Sequence, residues 1–224
     1  PDLVEMANER QFNRIVSYGQ SDDVNVREAL ISCSPFVNFS WTDLSTPHTK
    51  LRTYEVTTHL IGAYNIDNLL AAIAVGLHFG VTPEQINHAL SHYIPSNNRS
   101  QLEETAHNKL IVDAYNANPS SMKAAIENFK LMDVPHKMAI LGDMRELGEV
   151  SASEHQKVVD MLQNDGFEKV WLVGKEFEKT HTTYRKFKDV KEVKSAIAAQ
   201  QPQNHYILIK GSNGIRLFEL PPCL

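Results

Sequence analysis

The sequence predicts an α/β protein in two parts, and three observations carry that reading. From about residue 100 onward, strand-like runs at 110–114, 138–141, 170–173 and 206–209 alternate with helical patterns at 120–132, 153–164 and 190–199. Three of those apolar runs are continuous, which marks parallel strands covered by helices on both faces. Before residue 100 the rhythm differs. Short strand-like runs stand at 14–18, 36–41 and 54–58, and the last two alternate apolar with polar residues, as half-exposed antiparallel strands do.

The elements follow in order. After the early strands comes "GAYNIDNLLAAIAVGLHFG", residues 62–80, where Ile66, Leu69, Leu70 and Ile73 repeat as one helix face and Gly80 is a stop signal. A second helix opens at "TPEQ", with Thr82 as cap, Pro83 in the first turn and Gln85 closing a capping box, and it ends by Pro95. "PSNNRSQ", residues 95–101, is rich in turn formers and reads as a hinge between a first domain, 1–98, and a second, 99–224. The second domain is of ordinary size.

Bulk properties exclude several classes. The 224 residues are 42% hydrophobic and carry a formal charge of −5, with signs interspersed, which argues against a nucleic-acid surface. Cys33 and Cys223 form no disulfide framework and fit a reducing cytoplasm. No apolar run approaches a membrane span and no signal peptide is visible. The chain opens at Pro1 in a polar stretch without an initiator Met and reads as a piece of something longer.

In open parallel sheets, ligands bind beyond the carboxyl ends of the strands. Three polar strings fall there: "DAYNAN" at 113–118, "LGDMRELGE" at 141–149 and "KGSNG" at 210–214. The topology therefore brings Asp113, Asn116, Asp143, Glu146 and Lys210 towards one rim, a candidate site. Each string also has an ordinary reading. Asn118 before Pro119 is a good helix cap, Asp143 beside Gly142 suits a turn, and Lys210-Gly211-Ser212 suits a surface turn. "SASE", residues 151–154, offers a capping box one turn before His155, whose default is a packing or solvent-facing role. Asn65 and Asn68 share one helix face, where amides can pair with a base or bond each other. Arg99 is a guanidinium fork suited to phosphate or carboxylate. There is no G-x-x-x-x-G-K-[ST], no G-x-G-x-x-G after a strand, no H-E-x-x-H and no paired C-x-x-C, so neither a P-loop, a dinucleotide fold nor a structural zinc is expected from these residues.

Taken together, "GAYNIDNLLAAIAVG", "NNRSQ", "VDAYNANPSSM", "LGDMRELGEVSASEH" and "IKGSNG" resemble the Mur ligases of bacterial cell-wall synthesis, over nearly the whole chain. "DAYNANPSSM" and "LGDMRELG" are similar to the branch that adds D-alanyl-D-alanine. The resemblance implies a Rossmann-like C-terminal parallel-sheet domain, preceded by the last part of a central ATPase domain whose P-loop, magnesium-binding glutamate and UDP pocket lie upstream. The activity it implies is an ATP-dependent amide-bond ligase. A UDP-N-acetylmuramoyl-tripeptide carboxylate becomes an acyl phosphate, and the amine of D-alanyl-D-alanine attacks it. Cofactors would be ATP and Mg2+. The enzyme would be a cytoplasmic monomer acting on small molecules, with no nucleic acid and no membrane insertion, and this piece alone would be inactive.

By the same resemblance, Asn65 and Asn68 sit near adenine, and Arg99, Asp113 and Asn116 hold ribose and phosphates. Asn116 and Asn118 line the domain seam. Asp143, Glu146, Leu147, His155, Lys210, Gly211 and Ser212 face the incoming dipeptide, with Arg99, Asp113 and Lys210 as the catalytic set. "KGSNGIRLFEL" departs from the "KGSR…ME" of many members, and Arg216 is the candidate for the missing basic group. The resemblance predicts that Asp113→Ala cuts turnover with little loss of fold. Two rivals remain open at this point: a sibling ligase, Mur or folylpolyglutamate synthase-like, and a non-catalytic ligand-binding module.

Overall fold

The computed structural model describes residues 2–12, 14–45, 51–95 and 101–224. They fall into two compact units, one made of 1–59 with 63–93 and the other of 60–62 with 94–224. The expected hinge at 95–101 lies mostly outside the described residues, and Arg99 lies there too.

The first unit carries α1 (Asp2–Glu9), β1 (Tyr18–Gly19), β2 (Val26–Cys33), β3 (Phe36–Asp43), β4 (Thr53–Ile61), α2 (Ile66–His78) and α3 (Pro83–His92). Its four strands form one sheet in the order β1-β2-β3-β4, with β1 parallel and β2 antiparallel to their next neighbours. β3 buries Val37, Phe39 and Trp41 on alternate positions, as its pattern predicts. Trp41 stacks on Tyr54 and donates its indole N–H to Asn87 of α3 at 2.8 Å, which ties α3 to the sheet. α2 buries Ile66, Leu69, Leu70 and Ile73, and α3 has the expected capping box at Thr82 and Gln85.

The strand expected at 14–18 reduces to Tyr18–Gly19, and β2 goes unpredicted. β2 buries Val26 and Glu28 but exposes Leu30 and Ile31, and its register shifts between Leu30 and Ser32. A bulge breaks the period of two on which strand recognition rests.

The second unit contains β5 (Gln101–Glu104), β6 (Lys109–Asp113), α4 (Pro119–Leu131), β7 (Lys137–Gly142), α5 (Ser151–Asn164), β8 (Val170–Val173), α6 (Lys175–Glu178), β9 (Arg185–Phe187), α7 (Val190–Ala199) and β10 (Tyr206–Lys210). The sheet order is β5-β6-β10-β7-β8-β9. β6, β10, β7, β8 and β9 run parallel, and β5 pairs antiparallel with β6 at the edge. The sheet is therefore mixed at one edge, and "QLEE" is too polar and too short to announce that strand.

One face of this sheet, with Leu110, Val112, Met138, Ile140, Ile207 and Ile209, packs on α7 and on the C-terminal turns through Leu217, Leu220 and Leu224. Alternate strand residues Ile111, Ala139, Leu141, Leu172 and Leu208 are also buried and point to the other face, where α4 and α5 bury Met122, Ile126, Phe129, Val158, Val159 and Leu162. Asn108 closes the amino-terminal side of the sheet. Its buried amide donates to the carbonyls of Pro202 and Leu224 and accepts from the His205 N–H. Among the described residues no helix is long and apolar enough to cross a membrane.

Ile209 is fully buried in the central strand. Ile209→Ala is expected to lower the unfolding free energy by about 3 kcal/mol, read from urea titration of the protein.

Candidate functional site

β10 lies between β6 and β7, so the carboxyl ends of all three strands finish side by side. Lys210 is the register partner of both Asp113 and Leu141. The three polar strings meet at this rim because each continues one of these strands.

Lys210 is 1% exposed, yet a lysine is seldom buried unpaired. Its ammonium meets the Asp113 carboxylate at 2.5 Å and donates to the Asn116 carbonyl at 3.3 Å. The expected surface turn is therefore a buried, charge-paired anchor. The ammonium is turned inward, and its charge is already balanced. Asp113 is half-buried beside it, while Asn116 and Asn118 are exposed.

Gly211 and Ser212 continue inward. A Cβ on Gly211 would stand 3.0 Å from the Cα of Gly142, so the chains leaving β7 and β10 pack backbone to backbone. The Ser212 N–H donates to the Asp143 carbonyl at 3.2 Å, and the Ser212 hydroxyl donates to the Ala117 carbonyl at 3.5 Å while accepting the Arg145 N–H at 3.0 Å. One buried serine thus joins the loops after β6, β7 and β10.

Asp143 serves the loop after β8. Its two carboxylate oxygens accept the N–H groups of Glu176 and Phe177 at 3.0 and 2.9 Å, at the start of α6. Gly174 has φ +124, and a Cβ there would fall 2.3 Å from the Asp143 carboxyl group. Only glycine satisfies both conditions. Asp143 is buried, and both oxygens of its carboxylate are already engaged by backbone N–H groups.

His155 is fully buried. Its Nδ1–H donates to the Ser151 carbonyl at 2.7 Å, and its Nε2 accepts the Met144 N–H at 3.0 Å. It does not face the space outside the rim. The physical reason is the buried face of α5, which it shares with Val158 and Leu162. The expected capping box at 151–154 does not form either. α5 grows out of a short 3-10 turn at Gly148–Val150, and the Ser151 hydroxyl bonds Glu176 at 3.1 Å instead. The Lys179 ammonium, at 2.7 Å, holds the Glu176 carboxyl below the usual carboxylate range, aided by Ser151.

Asn118 caps α4 in a reciprocal box with Ser121. Glu146, with φ 66, is exposed and Leu147 half-buried. Arg216 also has φ 64, is exposed and pairs with Glu219. An open cavity of about 780 Å3 lies over this rim, lined by Asp143, Arg145, Glu146, Lys175, Lys188 and Ile215. Lys175, opening α6, and Lys188, after β9, carried no sequence signal, because those segments match no motif. In the first unit, the Asn68 side-chain amide donates to the Asn65 side-chain oxygen Oδ1 at 3.2 Å, with Asn65 buried and Asn68 exposed.

A mixed, largely parallel sheet whose central strand ends in a buried lysine, with glycine-bearing polar loops on either side, defines an α/β domain with a polar carboxyl rim. Residues 98–213 match the family described as "Mur ligase, glutamate ligase domain", and the chain belongs to the Mur ligase family. It is 32% identical over 174 residues to UDP-N-acetylmuramoyl-tripeptide--D-alanyl-D-alanine ligase of Bacillus subtilis (strain 168), covering 72% of this chain and 38% of that one. It is 32% identical over 184 residues to the Escherichia coli (strain K12) ligase of the same name, covering 78% and 40%. The chain thus spans about two fifths of these relatives. A crystal structure of MurF from Acinetobacter baumannii superposes with a TM-score of 0.78 at 26% identity, over 97% of this chain and 48% of that one. MurF from Thermotoga maritima in complex with ADP shares the fold, with a TM-score of 0.79 at 18% identity over the full chain and 50% of that one.

The buried ion pair reverses the expectation of a fold indifferent to Asp113. Asp113→Ala strands the Lys210 charge and is expected to cost about 3 kcal/mol, with Asp113→Ala/Lys210→Met together costing less; chemical denaturation of the three proteins compares them. Gly174→Ala is expected to cost about 2 kcal/mol through strain at positive φ and the collision with Asp143, and calorimetry of the variant reads it.

Proposed function

We propose that the chain is part of an ATP-dependent ligase that adds D-alanyl-D-alanine to a UDP-N-acetylmuramoyl-tripeptide in cytoplasmic peptidoglycan synthesis. The observation that carries this reading is the 32% identity to curated ligases of that name over 72% and 78% of the chain. In this reading the first unit belongs to the ATP-binding domain and the second is the C-terminal domain.

The chemistry asks this rim for positioning and charge stabilisation more than for covalent work. Phosphorylation of the tripeptide carboxylate gives an acyl phosphate. The dipeptide amine attacks its carbonyl carbon, and the tetrahedral intermediate expels phosphate to leave the amide. The exposed Asn116, Asn118 and Glu146 and the half-buried Leu147 are the proposed substrate contacts, with Arg99 and Asp113 proposed on the nucleotide and Asn65 and Asn68 near adenine. Lys210, Asp143, His155 and Ser212 serve behind them, because their polar atoms are already engaged with the protein. Gly211 contributes close backbone approach. Among the described residues no group of three His, Cys, Asp or Glu side chains is placed to hold a metal ion.

The complete gene product, given ATP and UDP-N-acetylmuramoyl-tripeptide, is expected to release ADP only when D-alanyl-D-alanine is added. Equal release with single amino acids, or none with the dipeptide, would overturn this reading.

A further inference from the structure

Three consecutive backbone amides at the rim are bonded to three different elements. The Asp143 N–H goes to the Val173 carbonyl at the end of β8 at 3.0 Å. The Met144 N–H goes to His155 of α5, and the Arg145 N–H to Ser212 after β10. Two of these partners are a strand-end carbonyl and an adaptable hydroxyl. The third is a ring nitrogen with no freedom. His155 is enclosed on every side, its other nitrogen is committed to the Ser151 carbonyl, and Phe177 stands edge-on to it with ring centroids 4.7 Å apart.

We infer that His155 is the positioning residue of the 143–147 loop. Its Nδ1–H bond to Ser151 leaves Nε2 as an acceptor, and that nitrogen fixes the Met144 amide, from which Arg145, Glu146 and Leu147 extend into the cavity. Met144 is itself buried, so its amide has no water to replace a lost acceptor. The reason a histidine serves is geometric. The ring spans the gap between a carbonyl of its own helix and an amide of the loop, accepting at one end and donating at the other. Asp143, whose Oδ1 lies 3.7 Å from Nε2, and Glu176, on Ser151, are the charged groups nearest this bridge. Asp143 is committed to the α6 amides, which leaves Nε2 to Met144. The loop's part in dipeptide binding rests on the function proposed above; the anchoring of Met144 does not.

The test uses the complete protein. In the unmodified protein, long-range nitrogen NMR of His155 is expected to show the neutral form protonated at Nδ1, with Nε2 bare; protonation at Nε2 would overturn the inference without any variant. His155→Gln can keep an acceptor for Met144, and His155→Leu cannot. Relative to the glutamine variant, the leucine variant is expected to exchange the Met144 amide at least about tenfold faster. It is also expected to raise KM for D-alanyl-D-alanine about tenfold while leaving KM for ATP unchanged. If the two variants match in Met144 exchange and in both KM values, His155 is a packing residue and the inference fails. If the unmodified protein ignores the dipeptide, the proposed function fails, and the tautomer and the exchange rates still decide the anchor.

Discussion

The insertion of β10 between β6 and β7 is the constraint on which the rest of the second unit depends. It sets Lys210 in register with Asp113, and a lysine ammonium in a dry position must be balanced or displaced. Asp113 balances it, and the Asn116 carbonyl takes a second hydrogen bond. The loop after β6 is thereby held to the last strand of the chain. The order of strands, rather than any local preference, decides that these two residues meet across 97 positions of sequence.

From that centre the rim is assembled by buried polar groups that bond to backbone. Ser212 serves three loops, Asp143 caps the short helix after β8, and His155 receives the amide between them. Backbone amides leaving strand ends have no ladder partner, and burial makes each unpaired one costly. The side chains that satisfy them also fix where the exposed groups stand. Loops pinned by such bonds lose less conformational freedom when a ligand binds beside them. The glycines have the same logic. Gly211 and Gly142 let two chains touch, and Gly174 makes room for the Asp143 carboxylate.

This arrangement sorts residues that look alike in sequence. Lys210, Asp143 and His155 carry the chemistry expected of ligand contacts, and the fold uses that chemistry internally. Asn116, Glu146 and the cavity-lining lysines carry less distinctive signals and face outward. Groups of the first kind hold in place the segments that carry the second.

The elements of the second unit were legible in the sequence because they obey local rules. Continuous apolar runs at 110–112 and 138–141 suit strands buried on both faces, and Asn118-Pro119 is a helix start written in two adjacent residues. The capping box at Thr82 and Gln85 is equally local. β2, the edge strands β5 and β9, and the entry into α5 were not legible. A bulge, an edge position and a 3-10 lead-in each take their shape from neighbours rather than from a period. Local pattern was enough to say which polar strings follow which strands, and so to place a candidate site at the carboxyl rim. Which of those side chains turn inward was a matter for the folded chain. Burial and pairing depend on groups brought from distant positions, and no spacing within the chain encodes them.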